Sequence, residues 1–167
     1  MKRVAVALFV LLAACGSKSN NASTTTTTTP FRTTEVSTPE NSPQALVTRV
    51  QVGAHDGFTR VVFEFGSAVP GYSVKVAQPP FVEDGSGATV VVPGVGHIAV
   101  RLIGVAHDAQ GNTSYAAGIT SAGGVTQVVR TGDFEGVVGF IIGTKNAPSF
   151  RVLTLASPPR LVVDIAA

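Results

Sequence analysis

Few residues of this chain are equipped for chemistry, and the first is Cys15. It closes the string Leu12-Ala13-Ala14-Cys15, a branched apolar residue and two small ones ahead of a thiol. Small residues there suit a narrow peptidase pocket, and a Cys sulfur is the side-chain nucleophile that accepts a diacylglyceryl group. Acid–base candidates come next. His55-Asp56 and His107-Asp108 are adjacent pairs, and His97 is the third histidine. Neighbours on a strand face opposite ways, so a sequential His-Asp pair does not make a hydrogen-bonded dyad. Both pairs stand near Gly, where Asp commonly caps its own turn. Three His and one Cys make a poor zinc inventory, with no ligand spacing on one element. Neither a glycine-rich phosphate loop nor a nucleophile elbow is present, so neither catalysis nor a cofactor or metal is expected.

Binding chemistry has better candidates. A receptor for glycans or peptide stems needs Arg for bidentate carboxylate contact and aromatic rings for stacking. Two loop sequences supply that mixture. One is His55-Asp56-Gly57-Phe58-Thr59-Arg60, and the other is Arg130-Thr131-Gly132-Asp133-Phe134-Glu135-Gly136. Tyr72 and Tyr115 are further possible platforms. Phe58 and Phe134 have two readings, as lids folded over their turns or as exposed rings, and the lid is the favoured one. A cleft between the two loops would be the simplest site.

The elements that must position these residues fall into three zones. Lys2 and Arg3 precede an apolar run from Val4 to Ala14, far short of the roughly 20 residues a spanning helix needs, so residues 1–14 read as an export signal. With Cys15 the run resembles a bacterial lipobox, which implies a diacylglyceryl group, and an N-acyl group, on the new N-terminus. Two or more chains, at about 0.8 kcal/mol per buried CH₂, anchor stably where one would not. Residues 15–44 then form a Thr/Ser/Pro-rich stretch with six consecutive Thr, Thr24 to Thr29, a candidate for O-glycosylation. With almost nothing large and apolar to bury, it is expected to be a disordered tether reaching roughly 100 Å when extended.

From Ala45 to Ala167 the pattern changes to period two. Strands are expected at Leu46–Val52, Thr59–Phe65, Tyr72–Ala77, Thr89–Val92, Ile98–Ile103, Val125–Arg130, Val137–Ile142, Phe150–Leu155 and Leu161–Ile165. In the first, Leu46, Thr48, Val50 and Val52 should share one face and Val47, Arg49 and Gln51 the other. No segment carries a helical apolar stripe. About eight or nine short strands separated by turn residues predict an all-β, antiparallel β-sandwich, with a small barrel as the alternative. The strand Arg60-Val61-Val62-Phe63-Glu64-Phe65 is echoed by Arg160-Leu161-Val162-Val163-Asp164-Ile165. The bland account of both is a half-buried strand whose outer charges solubilise the sheet, each exposed pair worth about 0–1 kcal/mol.

Charge excludes one class of partner. Of 167 residues, 12 are Lys or Arg and 10 Asp or Glu. Loss of Lys2 and Arg3 with the leader leaves ten of each, so nucleic-acid binding, which needs a dense basic patch, is not expected.

Val47-Thr48-Arg49-Val50, the Arg60–Phe65 strand, Phe150-Arg151-Val152 and Pro158-Pro159-Arg160 running to Ile165 together resemble the AMIN domain. With the two loop sequences and the leader, the chain is more closely similar to the AMIN-like domain of actinobacterial lipoproteins, over residues 45–167. The resemblance implies a two-sheet sandwich on the extracytoplasmic face of the membrane. It also implies a non-catalytic role at the cell wall, binding peptidoglycan or an envelope protein. Unlike wall amidases, the sequence shows no catalytic segment after the domain, so a stand-alone binder is expected. The alternative is a carrier that encloses a lipid or small hydrophobic ligand between its sheets, which requires a cavity of several hundred Å³.

Overall fold

The computed structural model describes residues 29–39, 45–105 and 119–167. Twelve strands and no helix are found among them: β1 (Val36–Thr38), β2 (Val47–His55), β3 (Phe58–Phe65), β4 (Gly71–Ala77), β5 (Phe81–Val82), β6 (Thr89–Val90), β7 (Gly96–Ile103), β8 (Ile119–Ala122), β9 (Val125–Phe134), β10 (Val137–Thr144), β11 (Phe150–Ala156) and β12 (Pro159–Ala166). All ladders are antiparallel. A six-stranded sheet has the order β1-β4-β7-β10-β9-β8, a four-stranded sheet β11-β12-β3-β2, and β5 pairs with β6 alone. The expected β-sandwich is therefore what the chain forms. Each of the nine expected strands has its counterpart, and the three additions (β1, β5, β8) are too short for alternation to signal them.

Alternation places the core between the sheets. Val61, Phe63 and Phe65 of β3 and Leu161, Val163 and Ile165 of β12 face Val74 of β4, Ile98, Val100 and Leu102 of β7, and Val138, Phe140 and Ile142 of β10. Phe63 and Phe140 meet across the layer with ring centroids 5.0 Å apart. These side chains fill the middle of the space between the sheets, where a carrier would enclose its ligand. One face assignment changes. Val47 and Val50 are both buried, because a register shift between Val47 and Arg49 inserts a residue opposite β3 and resets the alternation.

The outer face of the larger sheet carries a second, smaller core. The segment with β5 and β6 crosses it, packing Phe81 and Val92 on Ile141. His97 is buried beneath this segment, where its Nε2–H donates to the Val92 carbonyl at 3.0 Å and its ring meets Phe81 edge-on. Gly143 makes the close approach possible, since a Cβ there would collide with the Pro93 carbonyl.

The assignment of residues 15–44 to a disordered tether needs correction over residues 31–38. Arg32 exchanges two backbone hydrogen bonds with Phe150 at 2.8 Å, and β1 pairs with the free edge of β4. Residues 31–38 thus cross from one sheet to the other. Val36 packs on the core, burial that the surrounding Thr and Ser obscure in the sequence.

Candidate functional site on the outer face of the smaller sheet

The echo between β3 and β12 acquires a meaning from their pairing. The two strands are antiparallel neighbours, with Arg160 opposite Glu64 and Asp164 opposite Arg60. Each strand carries Arg and, four residues on, an acid; antiparallel pairing therefore sets each Arg against the other strand's acid. On the far side of β12, Arg151 of β11 is opposite Asp164. One row across the outer face thus reads Arg151, Asp164, Arg60.

This row is not a set of solubilising surface charges. Asp164 is 0% exposed, and its carboxylate accepts from Arg60 Nε at 2.6 Å, Arg60 Nη2 at 2.9 Å and Arg151 Nε at 2.9 Å. Burial pushes the Asp164 carboxyl up, but the hydrogen bonds and charges of the two guanidinium groups outweigh it and hold the group below the usual carboxylate range. The Arg60 guanidinium is pushed up in turn, its bond to Asp164 outweighing its own desolvation. Neither Arg spends all five of its N–H donors on Asp164.

Aromatic rings frame the row. The β2–β3 turn is closed by the pair His55 and Phe58, with Gly57 between them at a φ of 79°, in the left-handed region glycine favours. His55 and Phe58 stack with centroids 4.8 Å apart and planes 9° from parallel. The Arg60 guanidinium lies 5.3 Å and that of Arg151 5.0 Å from the Phe58 centroid, and Arg151 is 4.8 Å from Phe31. Such contacts are worth about 0.5–2 kcal/mol each and lock the guanidinium planes. Phe58 is accordingly half-buried against arginines and not a lid over its turn, while Asp56 is exposed at the turn tip.

Of the residues read from sequence, the structure brings His55, Phe58 and Arg60 together here and adds Phe31, Arg151 and Asp164. Arg151 and Asp164 stood in the family-like motifs, but their convergence needs the strand order; Phe31 lay in the tether. The others lie elsewhere. Gly124, just before β9, donates to Thr59 Oγ1 at 2.7 Å, so the start of β9 adjoins the β2–β3 hairpin. Phe134 ends β9 ten residues later, about 30 Å away at strand rise. The two loops are therefore at opposite ends of the sandwich and form no common cleft. Within the second loop, Arg130 pairs with Asp133 at 3.4 Å. Phe134 is 57% exposed, which overturns its reading as a lid, and Glu135 sits beside it at the turn. Tyr72 is 7% exposed, too buried for a stacking platform, and burial pushes its hydroxyl up; it lines a cleft of about 510 Å³ between the edges of β1 and β11. His55 and His97 belong to opposite sheets and cannot share a site. Cys15, His107, Asp108 and Tyr115 lie outside the described residues. Among the described residues there is no group of three or more potential metal ligands, and no helix long and apolar enough to cross a membrane.

Fold and geometry define a two-sheet sandwich whose polar chemistry is carried on its outer faces. Residues 45–167 match the sequence model of the AMIN-like domain. The chain belongs to the AMIN-like domain family. Residues 6–31 also match the model described as cytomegalovirus glycoprotein N terminal, a short stretch over the leader and threonine run that carries no assignment. No curated protein matches the chain.

Proposed function

We propose that this protein is a non-catalytic cell-envelope binder, held to the extracytoplasmic face of the membrane by a diacylglyceryl group on Cys15. Its AMIN-like domain docks on peptidoglycan, or on an envelope protein, through the outer face of the four-stranded sheet. The observation that carries this reading is the Arg151–Asp164–Arg60 row framed by Phe31, Phe58 and His55. Asp164 fixes both guanidinium groups in place, so their remaining N–H donors are pre-oriented for a carboxylate or amide, and the exposed His55 ring, braced on Phe58, offers a face for sugar stacking. The row carries a net charge of +1, suited to the carboxylates of stem peptides. Family membership supports the envelope setting.

Co-sedimentation of the mature chain with purified peptidoglycan tests the reading. Retention well above that of an unrelated β-sandwich is expected, and replacement of Arg60 by Gln together with Phe58 by Ala should weaken it at least tenfold. Retention no better than the control sinks the peptidoglycan assignment. Radiolabelled palmitate should enter the wild-type chain and not Cys15→Ala; label persisting in the variant disposes of the anchor.

A further inference from the structure

The opposite end of the sandwich holds a second, differently charged site. A pocket of about 330 Å³ at the β9–β10 turn is lined by Asp84, Gly85, Arg101, Phe134, Glu135 and Val137. A recess of about 130 Å³ that also borders Asp84 and Arg101 lies beside it. Asp84, Arg101 and Glu135 make no ion pair with one another or with any other residue among those described. Among the described residues, two carboxylates and a guanidinium therefore surround this space without an ion pair.

Two features indicate that the chain is built to hold these groups there. Asp84 N–H donates to the Thr131 carbonyl at 2.8 Å, and its carboxylate rests over Gly132, where any Cβ would collide with it. Glu135 adopts a φ of 50° and Gly136 one of 77°. A turn with both central residues at positive φ favours Asn, Asp or Gly at the first of them, so Glu is a costly choice whose return is its carboxylate. The Gly136 carbonyl accepts from both Gly104 and Val105 N–H at 2.9 Å, which holds the turn in that conformation.

We propose that this pocket binds a zwitterionic amino-acid group, one that presents an ammonium and a carboxylate together. Its carboxylate meets Arg101, its ammonium lies between Asp84 and Glu135, and its methylenes rest on the exposed ring of Phe134. The net charge of −1 disfavours phosphate-rich polymers, and Arg101 disfavours a simple amine. Free ends of wall stem peptides carry such groups, so in naming that source the inference rests on the peptidoglycan reading; a free amino acid is the other source of the same chemistry.

Calorimetric titration of the mature chain, kept soluble by Cys15→Ala, tests this with three probes of similar length. These are 2,6-diaminopimelic acid, which has both groups, pimelic acid, which has only carboxylates, and 1,5-diaminopentane, which has only ammonium groups. Saturable binding of the first at least tenfold tighter than of either other is expected. Arg101→Gln and Asp84→Asn should each weaken it tenfold or more, with Glu135→Gln as a third variant and thermal unfolding as the check on folding. Equal binding of all three probes, or undiminished binding by variants that remain folded, overturns the proposal. Displacement of the chain from peptidoglycan by free diaminopimelic acid identifies stem peptides as the source; retention with the pocket saturated identifies a free amino acid. Loss of probe binding in Arg101→Gln with peptidoglycan retention intact would leave the other face as the wall-binding one.

Discussion

Asp164 is the residue whose loss the domain should feel most. It is fully buried between two guanidinium groups, and removing one member of such a cluster strands charge that water no longer solvates, at a cost of about 3–5 kcal/mol. Asp164→Asn is therefore expected to lower the urea midpoint by that equivalent. The same carboxyl supplies a pH dependence. Its folded value lies below the ordinary one near 3.9, so its contribution is complete above that pH and is lost as pH falls through the lowered folded value. Wild-type stability should decline below about pH 4, and the slope should flatten in Asp164→Asn; equal slopes would show that other carboxylates dominate. Replacing all three members, as Arg60→Met, Asp164→Leu and Arg151→Met, should restore most of the stability while abolishing ligand retention, which separates the cluster's two roles. Glu135 predicts the opposite sign. Glu135→Asn relieves a left-handed residue and should raise stability by about 0.5–1 kcal/mol, read as a Tm increase of a few degrees. No increase would mean the turn is unstrained.

At the scale of elements, alternation along the chain is enough to place nine strands, and the echo between residues 60–65 and 160–165 is legible in the residues themselves. What alternation does not convey is that the echoed strands are neighbours. Their acids therefore read as solvated, whereas pairing with β3 on one side and β11 on the other buries Asp164. The bulge near Thr48 is hidden for a similar reason, since one inserted residue inverts a face without altering composition. β5 of the covering segment and the strap of residues 31–38 escape a reading by period because short extended segments held by others carry no period of their own. The strap yields a prediction. It pairs with the edge of β4 and with Phe150, and Phe31 packs on Arg151. Deleting residues 29–39 should cost about 2–4 kcal/mol from lost backbone hydrogen bonds and ring contact, and should expose an edge open to self-pairing. A lower Tm with concentration-dependent sedimentation is expected; a monomer of unchanged Tm would mean the strap is dispensable.

For the whole molecule, the strap changes the reach that the proposed lipid anchor would allow the domain. With Arg32 paired to Phe150, only residues 16–30 separate Cys15 from the folded part, 15 residues in place of the 29 assigned by composition. Fifteen residues span at most about 50 Å extended and roughly 20 Å as a flexible coil. Under the proposed lipid anchor, that length sets the reach of both binding faces. It also brings the Phe31 end of the four-stranded sheet to the tether's exit, while the Asp84–Arg101–Glu135 pocket lies about 30 Å further along β9. Deleting residues 17–28 from the anchored protein should therefore cut its capture of added peptidoglycan fragments, measured on membrane vesicles, by several-fold. A Gly/Ser insertion of equal length should restore it, because length and not composition is what the tether provides. The soluble Cys15→Ala form of the same deletion should bind as the full mature chain does. If it too loses binding, the deleted residues contact the ligand directly; if the anchored deletion binds normally, the reach of the tether is not what limits access to the wall.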